Sequence, residues 1–111
     1  MPPLFVDPGF LRVELALQTA TLTPDGLGGH TENWAEIATV FGRIEPVSAR
    51  AVFGAAQTLE TVTHRITMRW RAGVTSGMRF ARAARIFEIV TVHDPDETGR
   101  YLVCRAREIG A

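Results

Sequence analysis

With 111 residues, no net charge and 46% hydrophobic content, the chain has the size and composition of one domain that can bury a core without staples. Zero net charge argues against a general nucleic-acid or membrane binder. All twelve basic residues are arginine, which excludes Schiff-base chemistry and a phosphate-loop lysine, and a lone Cys104 excludes an intrachain disulfide and a cysteine-built zinc site.

Residues 1–9 read as an extended tail. Pro2, Pro3, Pro8 and Gly9 oppose regular structure, and Asp7-Pro8-Gly9 is a turn. The opening segment has no basic region and no small-residue cleavage site, so it is not read as a signal peptide. A first strand is expected from Leu11 to Thr21, with Val13, Leu15 and Leu17 inward and Arg12, Glu14, Ala16 and Gln18 outward. The stretch from Thr23 to Thr31 carries Pro24, Gly26, Gly28 and Gly29, so it reads as a mobile loop that Trp34 anchors on the core. A second strand is expected from Thr39 to Glu45, stopped by Pro46.

Val47 to Ala56 is rich in small apolar residues and reads as a long loop or a short helix capped by Ser48. The third strand lies within Gln57–Arg71. There Val62, His64, Ile66, Met68 and Trp70 alternate with Thr61, Thr63, Arg65, Thr67, Arg69 and Arg71. Strict period two separates an apolar face from a threonine–arginine face, because successive side chains leave opposite sides of a strand. After a turn at Ala72–Gly77, strands are expected from Met78 to Ala81, Ile86 to His93 and Tyr101 to Glu108. A tight reversal at Arg82–Arg85 and a turn at Asp94–Gly99 separate them. The expected fold is all-β: a small antiparallel β-barrel of about six strands in a single domain over residues 1–111.

Charge is distributed unevenly. Residues 61–87 hold six arginines and no acid, while the remainder holds six arginines and twelve acids. Arg65, Arg69 and Arg71 share one strand face, and Arg79, Arg82 and Arg85 follow across one turn, so the two groups are expected to come close in an antiparallel sheet. They are the candidate residues for a contact with another subunit or with DNA, since arginine suits both carboxylate and phosphate.

No catalytic or metal pattern stands out. His30, His64 and His93 form no spaced ligand pair, and His64 falls on the apolar face as a core or barrel-edge residue. Asp94, Asp96 and Glu97 sit among Pro95 and Gly99, as expected of a solvated turn. Ser48 and Ser76 lack activating partners, and Cys104 on a strand reads as packing. The chain is therefore not expected to be an enzyme, and no cofactor is expected. No apolar run reaches the ~20 residues a membrane span needs, and a reducing cytoplasm is the expected place of synthesis.

Several short pieces, in order and spacing, resemble a known family. They are Asp7-Pro8-Gly9 with Leu11-Arg12; Leu17-Gln18 followed by Thr21 and Thr23; Asp25, Gly28-Gly29 and Trp34; and Ile44-Glu45-Pro46. Next come Thr63-His64-Arg65-Ile66 with Arg69 and Arg71, Gly73-Val74 with Met78-Arg79, and Arg85 with Phe87-Glu88-Ile89. The last are Asp94-Pro95-Asp96-Glu97 and Gly99-Arg100-Tyr101-Leu102. Together, over nearly the whole chain, they resemble the head–tail joining proteins of tailed bacteriophages, of the head-completion or stopper type, which also occur in prophages and gene transfer agents.

The resemblance implies a barrel subunit of a homo-oligomeric ring in the particle neck. Its partners would be the portal-associated adaptor, a tail terminator or tail protein, and packaged double-stranded DNA in the channel. The loop between the second and third strands of family stoppers projects into that channel. Here it maps to Ser48, Ala49, Arg50, Ala51, Val52, Phe53, Gly54 and Ala55. Two alternatives remain: a tail terminator or other neck ring, and a small barrel that binds single-stranded nucleic acid by stacking bases on aromatics among arginines.

Overall fold

The computed structural model describes residues 8–47 and 62–110. A single 3₁₀ turn, Pro8–Phe10, precedes six strands: β1 (Val13–Pro24), β2 (His30–Pro46), β3 (His64–Arg69), β4 (Arg79–Arg82), β5 (Arg85–His93) and β6 (Tyr101–Ile109). All neighbours are antiparallel, and the order β1-β2-β3-β6-β5-β4 closes on itself as a barrel. No α-helix occurs among the described residues. The all-β expectation holds.

Alternation builds the core as the sequence implies. Leu15 and Leu17 of β1, Ile66 and Met68 of β3, Phe80 of β4, Phe87 and Ile89 of β5, and Leu102, Cys104 and Ala106 of β6 fill the interior, and Val74 plugs it from the β3–β4 turn. Burying such side chains is the main favourable term for a sheet closed on itself. At Gly42 three strands meet, opposite Val13 on one side and Met68 on the other. A Cβ there would lie 2.8 Å from the Thr67 carbonyl oxygen, so the close approach of β2 to β3 requires glycine.

The largest departure from expectation is the first hairpin. β1 is 12 residues long and β2 is 17, beginning at His30 rather than Thr39. The presumed loop contracts to Asp25–Gly29. There the Asp25 carboxylate accepts hydrogen bonds from the Leu27 and Gly29 amides at 2.7 and 3.1 Å, and Gly26 and Gly28 take the positive φ the reversal needs. The alternating threonines on either side, Thr19, Thr21, Thr23 and Thr31, continue the strands, because β-branched residues suit extended backbone. The hairpin leaves the barrel after Gln18, the last β1 residue paired with β4. It extends as an arm about 20 Å long at ~3.3 Å per residue.

Three further readings change. Trp34 does not anchor a loop on the core; it lies on the arm, half-buried. Trp70 is not inward-facing, for β3 ends at Arg69 and Trp70 is 48% exposed, its amide bonded to the Arg100 carbonyl at 2.8 Å. Thr67, on the polar face, is buried: with Leu11 and Val103 it lines a groove outside the barrel whose other walls include Phe10, Arg43, Arg65 and Arg105. The expected loop or helix at Val47–Ala56, and the channel candidates Ser48–Ala55 within it, lie outside the described residues except for Val47.

Candidate functional site

The arginines expected to gather do not. In the six-strand order β3 and β4 lie three places apart in either direction, so Arg65 and Arg69 stand on the opposite side of the barrel from Arg79 and Arg82. Proximity in sequence across one turn misleads here, because β6 and β5 intervene between β3 and β4 in the sheet.

The β4 side is internally satisfied. Arg79 donates from Nε to Gln18 Oε1 at 2.6 Å, and its guanidinium lies 4.0 Å from the Trp34 ring centre. This cation–π stack ties the base of the arm to β4. Arg82 donates to the Glu14 carbonyl at 3.1 Å. Arg85 forms a two-pronged pair with Glu108, at 2.7 and 3.1 Å, over the Phe87 ring. The hydrogen bond from Arg85 holds the Glu108 carboxyl below its usual range, and the same bond raises Arg85. His64 sits beside this pair, 3.9 Å from Glu108 Oε1, within 2.8 Å of Thr63 Oγ1 through Nδ1 and edge-on to Phe87. It is a partnered barrel-end residue.

The β3 side is different. Arg65 meets Glu45 at 3.3 Å, and Arg43 reaches the same carboxylate at 3.5 Å. These pairs are half-exposed and contribute little to stability. Arg69 and Arg71 are exposed, with no ion pair among the described residues. They flank exposed Trp70, and Phe41 of β2 is 51% exposed across a cleft of about 250 Å³ that the four residues share with Thr39, Val40 and Met68. The cleft opens where β2 continues into the arm and β3 stops. Two free arginines beside two exposed aromatics have the composition of a protein-contact centre.

Alternation alone hid this aromatic pair. Phe41 and Trp70 become neighbours only through the β2–β3 register, which pairs Gly42 with Met68. Cross-strand ion pairs such as Glu88–Arg107, at 2.8 Å, were missed for the same reason.

The remaining polar groups have structural work. Asp94 accepts from the Asp96 and Gly99 amides at 3.3 and 2.7 Å. Asp96 accepts from the Thr98 amide and hydroxyl at 3.2 and 2.6 Å and pairs with Arg100 at 3.2 Å. These carboxylates hold the β5–β6 turn, and no cluster suited to a metal occurs among the described residues. Cys104 is fully buried, and burial pushes its thiol up to about 12, so it is not a nucleophile.

Comparison with known proteins agrees with this architecture. A chain from the virion of a native gene transfer agent particle superposes with a TM-score of 0.67 at 32% identity, over 91% of this chain and 97% of that one. A protein of Shigella flexneri 2a, solved in solution, shares the fold with a TM-score of 0.64 at 24% identity, over 91% and 96%. Comparison with curated proteins returns no match. The family model of phage head completion proteins matches residues 6–109, and the chain belongs to that structural family.

Proposed function

We propose that this chain is a ring subunit at the neck of a phage or gene-transfer-agent particle. Assembled in the bacterial cytoplasm, it closes the DNA-filled head and offers a seat to the tail. The observation that carries the reading is the near full-length likeness, at 32% identity, to a chain of a gene transfer agent virion. Family membership over residues 6–109 supports a role in completing the head. Its partners are further copies of itself, the portal-associated adaptor, a tail protein and the packaged double-stranded DNA. Arg69 and Arg71, without an ion pair among the described residues and beside Trp70, are the residues we assign to a neighbouring subunit or to DNA. Repetition around a ring multiplies a small patch into a strong field even though one subunit carries no net charge.

Cryo-electron microscopy of particles is expected to find the protein as a ring between portal and tail. A protein found only as a free monomer, absent from particles, would overturn the reading. Reversing both charges, Arg69→Glu with Arg71→Glu, is expected to reduce particle assembly or DNA retention while changing stability by no more than about 0.5 kcal/mol. Loss of thermal stability with assembly intact counts against the assignment.

The exposure of Trp70 and Phe41 gives a second reading some footing. Aromatics beside arginines are what a single-stranded nucleic-acid barrel uses to stack bases. Salt-dependent titration of the isolated protein with a single-stranded oligonucleotide separates the two: sub-micromolar binding by the monomer selects this second reading, and weak binding selects the neck subunit.

A further inference from the structure

Inside the barrel every strand has two neighbours. On the arm each has one. β1 pairs with β4 only at Ala16–Gln18, and β2 pairs with β3 only from Gly42 to Pro46. Among the described residues, β1 from Thr19 to Pro24 and β2 from His30 to Ala35 therefore present bare backbone edges on opposite sides of the same ribbon.

The β2 edge carries Glu32 and, at its base, Glu36, but the β1 edge lacks the usual protection. Thr19-Ala20-Thr21-Leu22-Thr23 is uncharged and strand-prone. Such an edge normally carries a charge, a bulge or a covering element, because its open amides and carbonyls recruit other strands. The bulge between Leu17 and Gln18 lies at the base of the arm, and Pro24 only at its tip. Neither face of the ribbon is buried. One side sets Thr19, Thr21 and Thr23 against Ala35, Asn33 and Thr31; the other sets Ala20, Leu22 and Pro24 against Trp34, Glu32 and His30. Leu22 is 63% exposed. A two-stranded ribbon without a buried face is marginal in water and gains order from further strands.

We propose that the arms of successive copies pair edge to edge, β1 of one copy against β2 of the next, so that the occupant of each bare edge is a second copy of this chain. The two edges run antiparallel and lie on opposite sides. Copies arranged around an axis with their arms in one direction therefore bring β1 to β2 at every contact. That contact is head-to-tail and repeats in one sense, so it closes a ring when the rotation closes. The arms then form one continuous up-and-down barrel that removes every bare edge. This inference rests on the ring reading above.

Cysteine cross-linking in assembled particles tests it. Copies carrying T19C, T21C or T23C are mixed, one variant at a time, with copies carrying N33C, all on one face of the arm. One of the three mixtures is expected to give a disulfide-linked dimer of one variant with the other. No single variant is expected to link to itself, since like strands of adjacent arms lie about 10 Å apart, beyond the ~7 Å reach of a disulfide. Native Cys104 is buried and stays silent.

A shortened-arm variant, with Thr21–Asn33 replaced by an Asn-Gly turn, is expected to melt as the wild type does and to lose the ring. A ring that forms normally from that variant, or links only within single variants or only to another neck protein, overturns arm pairing and leaves the ring reading standing. A wild type that forms no ring in the particle overturns both.

Discussion

The barrel and the arm are made from the same two strands, yet they obey different rules. In the barrel, β1 contributes Leu15 and Leu17, both with no exposed surface; six residues further on, the same strand carries Thr21, Leu22 and Thr23 in the open. Apolar burial holds the first region; backbone pairing, the Asn33–Thr23 and Trp34–Glu32 hydrogen bonds and the stack of Arg79 on Trp34 hold the second. The contrast teaches that strand continuation here is not driven by the core. β-branched composition extends the strands past the point where burial stops, which a monomer has little use for and an assembly can exploit.

The comparison breaks if substitutions do not sort by region. Phe87→Ala, at a fully buried ring, is expected to destabilise the protein by about 3–5 kcal/mol, read by thermal or denaturant unfolding. Gly42→Ala, inside the barrel where β2 begins to pair with β3, places a methyl group 2.8 Å from a backbone oxygen. Neither strand can yield without disturbing the other, so a cost of about 1–3 kcal/mol is expected, together with weaker protection of β2–β3 amides in hydrogen exchange.

Glu108→Gln removes the partner of Arg85 and sharpens the comparison through pH. The Glu108 carboxyl is held below its ordinary range in the folded state. Its contribution is therefore present above the unfolded glutamate pKa and lost as pH falls through the lowered folded value. The variant is expected to match the wild type closely at acid pH and to fall below it by a small margin at neutral pH. Smallest of all, Leu27→Ser at the arm tip, where Leu27 is 91% exposed, is expected to leave stability within about 0.5 kcal/mol of wild type. A large loss there would mean that the arm is part of the folding core.

Much of the barrel was legible in the sequence. Period-two patterning located the inward faces of β1 and, as far as Met68, of β3; the turn residues between segments placed all six strands, β2 only over its second half. What escaped is what a single sequence does not carry. The glycine-rich stretch after Thr23 looked like a long loop because Gly and Pro dominate its composition; the Asp25 carboxylate tightens it into a turn, and the flanking threonines zip up. The two arginine groups looked adjacent because they are close in the chain, whereas the sheet order places β6 and β5 between them. Trp70 followed the alternation of β3 but falls one residue beyond the end of the strand. Each miss concerns pairing partners, which are set by tertiary register rather than by local pattern.

The sealed thiol at the centre of the barrel has a further consequence. A particle released from a cell passes from a reducing interior to an oxidising exterior, and many copies of a protein packed together are at risk of random cross-linking when their cysteines are accessible. Cys104 is buried, and burial pushes its thiol up to about 12, so in a chain carried by such a particle the sulfur would stay unreactive through that passage. Its alkylation rate in the presence of a membrane-impermeant reagent therefore acts as an internal clock: it advances only when a barrel opens, and it reports how often each subunit breathes inside the intact particle.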